Sequence, residues 1–217
     1  MGFPFLACSS MCITGQTGSG KTQFVYRILK NLHEMYPENP PEAILYCYGI
    51  YQPLYEEMKR SIPGIMFQKG LPTMEDIDAF TGNRKHKLII LDDLMHQVVR
   101  DEEMELLFTQ GTHHRCCSVY FLTQNLFVHG SRSRTIALNT TYLVLMKNVR
   151  DVSQVGTLGR QLYPGRSKIL TEAYSDATSM RYGYLIVDMA AHSEDTYRLR
   201  TLVFPGEDPI VYVPKNS

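Results

Sequence analysis

Residues 15–22 read GQTGSGKT, directly after an apolar stretch, Phe5 to Thr14, and directly before one that carries Phe24, Ile28, Leu29 and Leu32 at helical spacing. Gly15, Gly18 and Gly20 permit backbone conformations and close approaches that a Cβ would block. The successive amides of Gly15, Gln16, Thr17, Gly18, Ser19 and Gly20 then point inward, and the positive end of the following helix adds to their pull on a phosphate chain. Lys21 brings an ammonium to the outer phosphates, and the Thr22 hydroxyl is a magnesium ligand. A strand, then this loop, then a helix is the context that the pattern requires. We therefore read residues 15–22 as a loop that binds ATP with Mg2+.

Working outward, the chain alternates apolar runs with amphipathic ones. Strands are expected at Phe5–Thr14, Ala43–Ile50, Lys87–Leu91, Ser118–Thr123 and Tyr142–Met146, with a small one at Ile65–Phe67. The main five are continuous rather than alternating, as in strands buried on both faces of a parallel sheet. Helices are expected up to Pro37, at Leu54–Arg60, Met74–Phe80 and Asp101–Thr109, and around Val152–Leu162 and Ile169–Ala177. The chain then returns to strands at Tyr182–Val187, Leu199–Phe204 and Ile210–Val213, closely connected, which suggests an antiparallel extension. The fold class expected is α/β, a doubly wound, mainly parallel sheet of the P-loop NTPase type with that extension, in one domain spanning residues 1–217.

Two further patterns carry chemistry. In Leu88–Asp93, LIILDD, a buried strand ends in two acids, at the sheet edge where the phosphate loop opens. Asp92 is the hard oxygen ligand for magnesium. Asp93 is either the general base for an attacking water or the cap of a helix beginning at Leu94. In Phe121–Asn125, FLTQN, Gln124 could orient water or report hydrolysis if its strand lies between the phosphate-loop strand and the acidic strand; the alternative is an ordinary strand-ending turn. Arginine assistance from a neighbouring subunit has two candidates, Arg115 in GTHHRCCS and Arg134 in GSRSRTIALN, both expected on loops near the nucleotide. Either could equally be a surface residue. The adjacent His113 and His114 lack ligand spacing to any Cys or acid and read as loop residues.

The bulk properties exclude several classes. Lys plus Arg and Asp plus Glu both number 22, and zero net charge argues against a passive DNA-coating protein. Phosphate contacts must be local, with Arg132, Arg134, Lys147, Arg150, Arg160, Arg166 and Lys168 as candidate positions or simply a solvated face. No apolar run reaches the ~20 residues needed to span a bilayer, so no membrane partner is expected. The start, Met-Gly, has Leu6 where a myristoylation signal needs Ser or Thr. The 5 cysteines form no CxxC pair, and the adjacent Cys116 and Cys117 read as small buried strand residues, so an intracellular, reducing compartment is expected.

With these residues in view, a family likeness emerges. In order, GQTGSGKT, ILYCYGIYQPLYEEM, IILDDLM, GTHHR, VYFLTQNLF, RTIALNTTYLVLMKNVRD, RQLYP, EAYSDAT, YGYLIVDM and LRTLVFPGE resemble the FtsK–HerA superfamily packaging ATPases of Polinton/Maverick elements, adintoviruses and poxvirus-type viruses. The resemblance covers nearly the whole chain. It implies a RecA/ASCE-like ATPase core, assembly as a hexameric or pentameric ring, and translocation of double-stranded DNA into a preformed capsid. Capsid or portal-vertex proteins follow as partners, and the host nucleus, a cytoplasmic virus assembly site or the virion as locations. It also implies Walker A for Gly15–Thr22, Walker B for Asp92 and Asp93, and the sensor position for Gln124. Asp93 departs from the Glu that many members carry there. No appended nuclease or DNA-guiding domain is evident, so cutting and end recognition would fall to partners. Two other readings stay open: an FtsK/HerA-type translocase or helicase used in DNA segregation or transfer, and an ATP-binding switch that scarcely turns over.

Overall fold

A computed structural model describes residues 3–83, 85–98, 100, 101, 104, 107, 115–126, 136 and 139–214. Among the described residues nine strands form one sheet: β1 (Ser10–Thr14), β2 (Ala43–Tyr48), β3 (Ile65–Lys69), β4 (Lys87–Asp92), β5 (Cys117–Thr123), β6 (Tyr142–Met146), β7 (Tyr184–Asp188), β8 (Leu199–Thr201) and β9 (Ile210–Tyr212). Their spatial order is β3-β2-β4-β5-β1-β6-β7-β8-β9. The first six run parallel and the last three continue antiparallel. This is the doubly wound sheet with a carboxy-terminal extension that the apolar runs imply. β5 does lie between the acidic strand β4 and the phosphate-loop strand β1, which sequence periodicity could only state as a condition.

The described helices are α1 (Lys21–Lys30), α2 (Leu32–Met35), α3 (Leu54–Ser61), α4 (Met74–Thr81), α5 (Met95–Val98), α6 (Ser153–Leu162) and α7 (Lys168–Ala177). They cover both faces of the sheet. On one face α1 and α3 bury Phe24, Ile28, Tyr55 and Met58 against Met11, Ile13, Ile90 and Leu122. On the other, α4, α6 and α7 bury Ile77, Leu158 and Leu170 against Cys12, Leu91, Val119 and Leu145. Every residue of β1, β4, β5, β6 and β7 is buried, so each strand feeds one core with its odd positions and the other with its even ones.

Several elements are shorter than their apolar runs. β1 starts at Ser10 rather than Phe5 because Cys8 turns left-handed at φ 56°, and the Ser9 hydroxyl donates back to the Leu6 carbonyl at 2.6 Å. The first helical run splits at Asn31, whose side-chain amide donates to the Arg27 carbonyl at 2.7 Å and competes with the ladder. Leu202, at φ 55°, stops β8 after Thr201. Cys117 is buried in β5, as expected, but Cys116 is not: it sits half-buried at φ 50°, with its Sγ 3.1 Å from the Cys8 Sγ. The helix expected at Asp101–Thr109 falls largely on residues outside those described, as do His113, His114, Arg132 and Arg134. Among the described residues, no helix is long and apolar enough to cross a membrane.

Candidate functional site

The parallel strands all point one way, so whatever follows them gathers at their carboxyl edge. There Thr14 ends β1, Asp92 ends β4 and Thr123 ends β5. The loop that leaves Thr14 is tied to its neighbours by main-chain bonds. Gly15 N donates to the Thr123 carbonyl at 3.2 Å, and Gln16 N to the Lys147 carbonyl at 3.3 Å. The Gln16 side chain adds a third tie, its Oε1 accepting from Val149 N at 3.1 Å. The glycines are needed where they stand. A Cβ on Gly15 would lie 2.6 Å from the Ser19 Oγ and 2.8 Å from the Met146 Cβ, and Gly20 holds φ 102° at the cap of α1.

This loop, β4, β5 and the segment before α3 enclose a cavity of about 570 Å³. Of the residues expected from sequence, Thr17, Gly18, Gly20, Lys21, Thr22, Asp92, Asp93 and Gln124 line it. Gly15, Gln16 and Ser19 lie behind them; the Ser19 Oγ is buried with no hydrogen-bond partner among the described residues. The Lys21 ammonium donates to the carbonyls of Gly15 at 2.6 Å and Gln16 at 3.2 Å. Burial pulls its pKa down, against the pull of Asp92 and Asp93.

Asp92 is buried, and three hydroxyls converge on its Oδ2: Tyr46 at 2.7 Å, Tyr55 at 3.0 Å and Thr22 at 3.3 Å. Burial raises its pKa above the ordinary value near 3.8, although the hydroxyls and Lys21 favour the anion. Thr22 and Asp92 are hard oxygen donors facing one cavity beside a phosphate-type cradle, and this set fits a magnesium ion. Asp93 differs from its neighbour. It is exposed, left-handed at φ 57°, and outside α5, where the Leu94 carbonyl takes the cap position by accepting from Gln97 N and Val98 N at 3.0 Å each. Leu94, not Asp93, therefore caps that helix.

Gln124 is exposed at the end of β5, and its carbonyl accepts from the Asn148 side chain at 3.4 Å. Arg115 is not where sequence reasoning expects it. It precedes β5 and so lies at the amino edge, across the sheet from the cavity, where its Nε donates to Asp78 of α4 at 2.7 Å. The direction of the strand decides this: residues before a parallel strand and residues after it reach opposite edges. Of the other basic candidates that are described, Lys147 and Arg150 follow β6 at the carboxyl edge, Arg160 lies in α6, and Arg166 and Lys168 flank the start of α7.

Three site features escape sequence reasoning. Tyr46 and Tyr55 reach Asp92 from β2 and α3. Tyr182, in the turn before β7, holds φ 62° and packs its ring against Gly20, so that it borders both the cavity and an adjoining hollow of about 530 Å³. Phe24, Arg27, Glu207 and Tyr212 line that hollow. Only the density of tyrosines in residues 46–55 hinted at any of this.

No protein-family model and no curated protein matches this sequence. Solved structures do. The genome packaging NTPase B204 of Sulfolobus turreted icosahedral virus 2, in complex with sulfate, superposes with a TM-score of 0.59 at 8% identity, over 97% of this chain and 98% of that one. B204 described as the DNA-packaging ATPase from Sulfolobus turreted icosahedral virus gives 0.57 at 10% identity, over 98% and 100%. The virus 2 protein with ATP-gammaS gives 0.54 at 9%, over 95% and 97%. At such identities the likeness speaks for architecture. Together with residues 15–22 leaving β1 for α1, it establishes that the chain has the P-loop NTPase fold, a mainly parallel α/β sheet extended by antiparallel strands.

Proposed function

We propose that this protein is the ATP-hydrolysing motor of a viral or virus-like genome-packaging machine, driving double-stranded DNA into a capsid. One observation carries the reading: Lys21, Thr22, Asp92, Asp93 and Gln124 face a single cavity at the carboxyl edge of a sheet whose fold is shared, end to end, with packaging NTPases.

In this reading the loop amides and Lys21 bind the triphosphate, and Lys21 exchanges the carbonyls of Gly15 and Gln16 for phosphate oxygens. The adjoining hollow beside Tyr182 takes the nucleoside. Thr22 and Asp92 hold Mg2+, which when bound offsets the charge that develops on the phosphates. Asp93, exposed and lining the cavity, is the acceptor for a proton from water, and Gln124 orients that water. Arg115 or Arg134 assists from a neighbouring subunit of a pentameric or hexameric ring; Arg115 must first leave Asp78. Its place at the edge opposite its own cavity supports action in trans rather than in cis. We infer one catalytic domain over residues 1–217, with capsid or portal-vertex proteins as the docking partners. The packaging site could be nuclear or cytoplasmic.

The test is ATP turnover with and without double-stranded DNA. Stimulation by DNA that disappears in Asp93→Asn while ATP binding persists is the expected result. Turnover indifferent to DNA would remove the motor reading, and ATP binding with scarcely any turnover would leave a nucleotide switch.

A further inference from the structure

The three hydroxyls on Asp92 do not have equal standing. Thr22 belongs to the phosphate loop and is the most distant at 3.3 Å, whereas Tyr46 and Tyr55 come from outside the loop and sit closer, at 2.7 and 3.0 Å. Both tyrosines are fully buried. Their rings are held by packing: Tyr46 stacks on Phe67 at 5.0 Å, and Tyr55 lies 5.0 Å from Tyr46 and 5.2 Å from both Tyr48 and Phe67. Held in this way, both phenols donate to the same carboxylate oxygen. Among the described residues every hydrogen bond to the Asp92 side chain ends on Oδ2, so Oδ1 is the oxygen left for a cation. Groups behind a metal ligand fix its orientation, and losing one typically weakens metal binding by roughly 10- to 100-fold.

The geometry points to Tyr46 and Tyr55 as positioning residues that aim the Asp92 carboxylate at the divalent cation of the nucleotide site. The inference rests on the reading of Asp92 as the cation's carboxylate. Tyr55 has a second consequence. It lies in the first turn of α3, directly after Ile50, Gln52, Pro53 and Leu54, which form one wall of the cavity. Its hydroxyl therefore fastens that wall to the same carboxylate, so the wall and the cation-facing oxygen are held in register.

Phenylalanine removes each hydroxyl and keeps the ring, so Tyr46→Phe and Tyr55→Phe test the idea without emptying the core. The readout is Mn2+ binding to the protein with a non-hydrolysable ATP analogue, followed by electron paramagnetic resonance, with Asp92→Asn measured alongside. Each single variant is expected to bind Mn2+ roughly tenfold more weakly. Cation-free binding of the analogue should be unchanged, and the turnover defect should be relieved by raising Mg2+, a signature that a purely structural role would not produce. Either single variant suffices if the other does not fold. Unchanged Mn2+ affinity in both singles, with binding abolished in Asp92→Asn, overturns the positioning role alone. Unchanged affinity in Asp92→Asn overturns it together with the reading of the site.

Discussion

Removing the Asp188 carboxylate tests how the carboxy-terminal extension is fastened to the parallel sheet. Asp188 ends β7 and Arg200 lies in β8; their side chains are each 5% exposed and meet at 3.0 Å. The other contacts of the Arg200 guanidinium are with neutral groups, a hydrogen bond with the Tyr142 hydroxyl among them. One nitrogen donates to the Tyr197 carbonyl at 2.9 Å, the rings of Phe3 and Tyr142 lie 5.2 and 5.8 Å from its carbon, and its Nε has no partner among the described residues. Asp188→Ala would leave that cation buried and uncompensated, which costs about 3–5 kcal/mol. With a urea m-value of about 2 kcal/mol/M, the unfolding midpoint should fall by roughly 1.5–2.5 M. The companion variant, Asp188→Leu with Arg200→Met, removes both charges and should recover most of that loss, because an apolar pair of similar volume has no desolvation penalty. Equilibrium denaturation followed by far-ultraviolet circular dichroism measures both. A fall of less than about 1 kcal/mol in Asp188→Ala would refute the reasoning, since it would mean that water reaches Arg200 once its partner is gone.

Asp92 has a folded pKa raised by burial above the ordinary 3.8, so its contribution to stability is present below that value and is lost as pH rises through the raised one. Without a cation, Asp92→Asn should therefore melt higher than the parent protein at pH 7, with the gap closing on acidification; differential scanning calorimetry across pH would show it, and a gap that is absent or inverted counts against the burial argument. Replacing Tyr182 by Ala takes away the ring that borders both hollows while leaving an exposed turn, so affinity for an ATP analogue should drop roughly tenfold with little change in melting temperature. Calorimetric titration reads this directly, and undiminished affinity would move the nucleoside elsewhere. Cys8 and Cys116, with sulfurs 3.1 Å apart, should join under diamide, which takes up the two thiol hydrogens; intact mass would fall by two hydrogens in the parent and not in Cys8→Ser.

How much was legible in advance depended on whether the chemistry was contiguous. The phosphate loop, the acidic end of β4 and the alternation of apolar runs with helices are each carried by neighbours in sequence. Local geometry follows from them whatever the rest of the chain does, because glycine tolerance, strand burial and helix dipoles act over a few residues. Asp93 was legible as a residue, but whether it caps the following helix was not. That needed the left-handed turn at φ 57° and the Leu94 carbonyl closing the first helical bond.

What only the tertiary structure decided are the relations between distant positions. Tyr46 and Tyr55 meet Asp92 across 46 and 37 residues, and Cys8 meets Cys116 across 108. The place of β5 between β4 and β1, which puts Gln124 at the cavity, is likewise a matter of strand order, and Arg115 meets Asp78 across 37 residues. Hydrophobic period reports which residues are buried and says nothing of which buried strand lies beside which. Strand order is settled by how two helical layers and one twisted sheet pack together, a property of the whole chain rather than of any stretch of it.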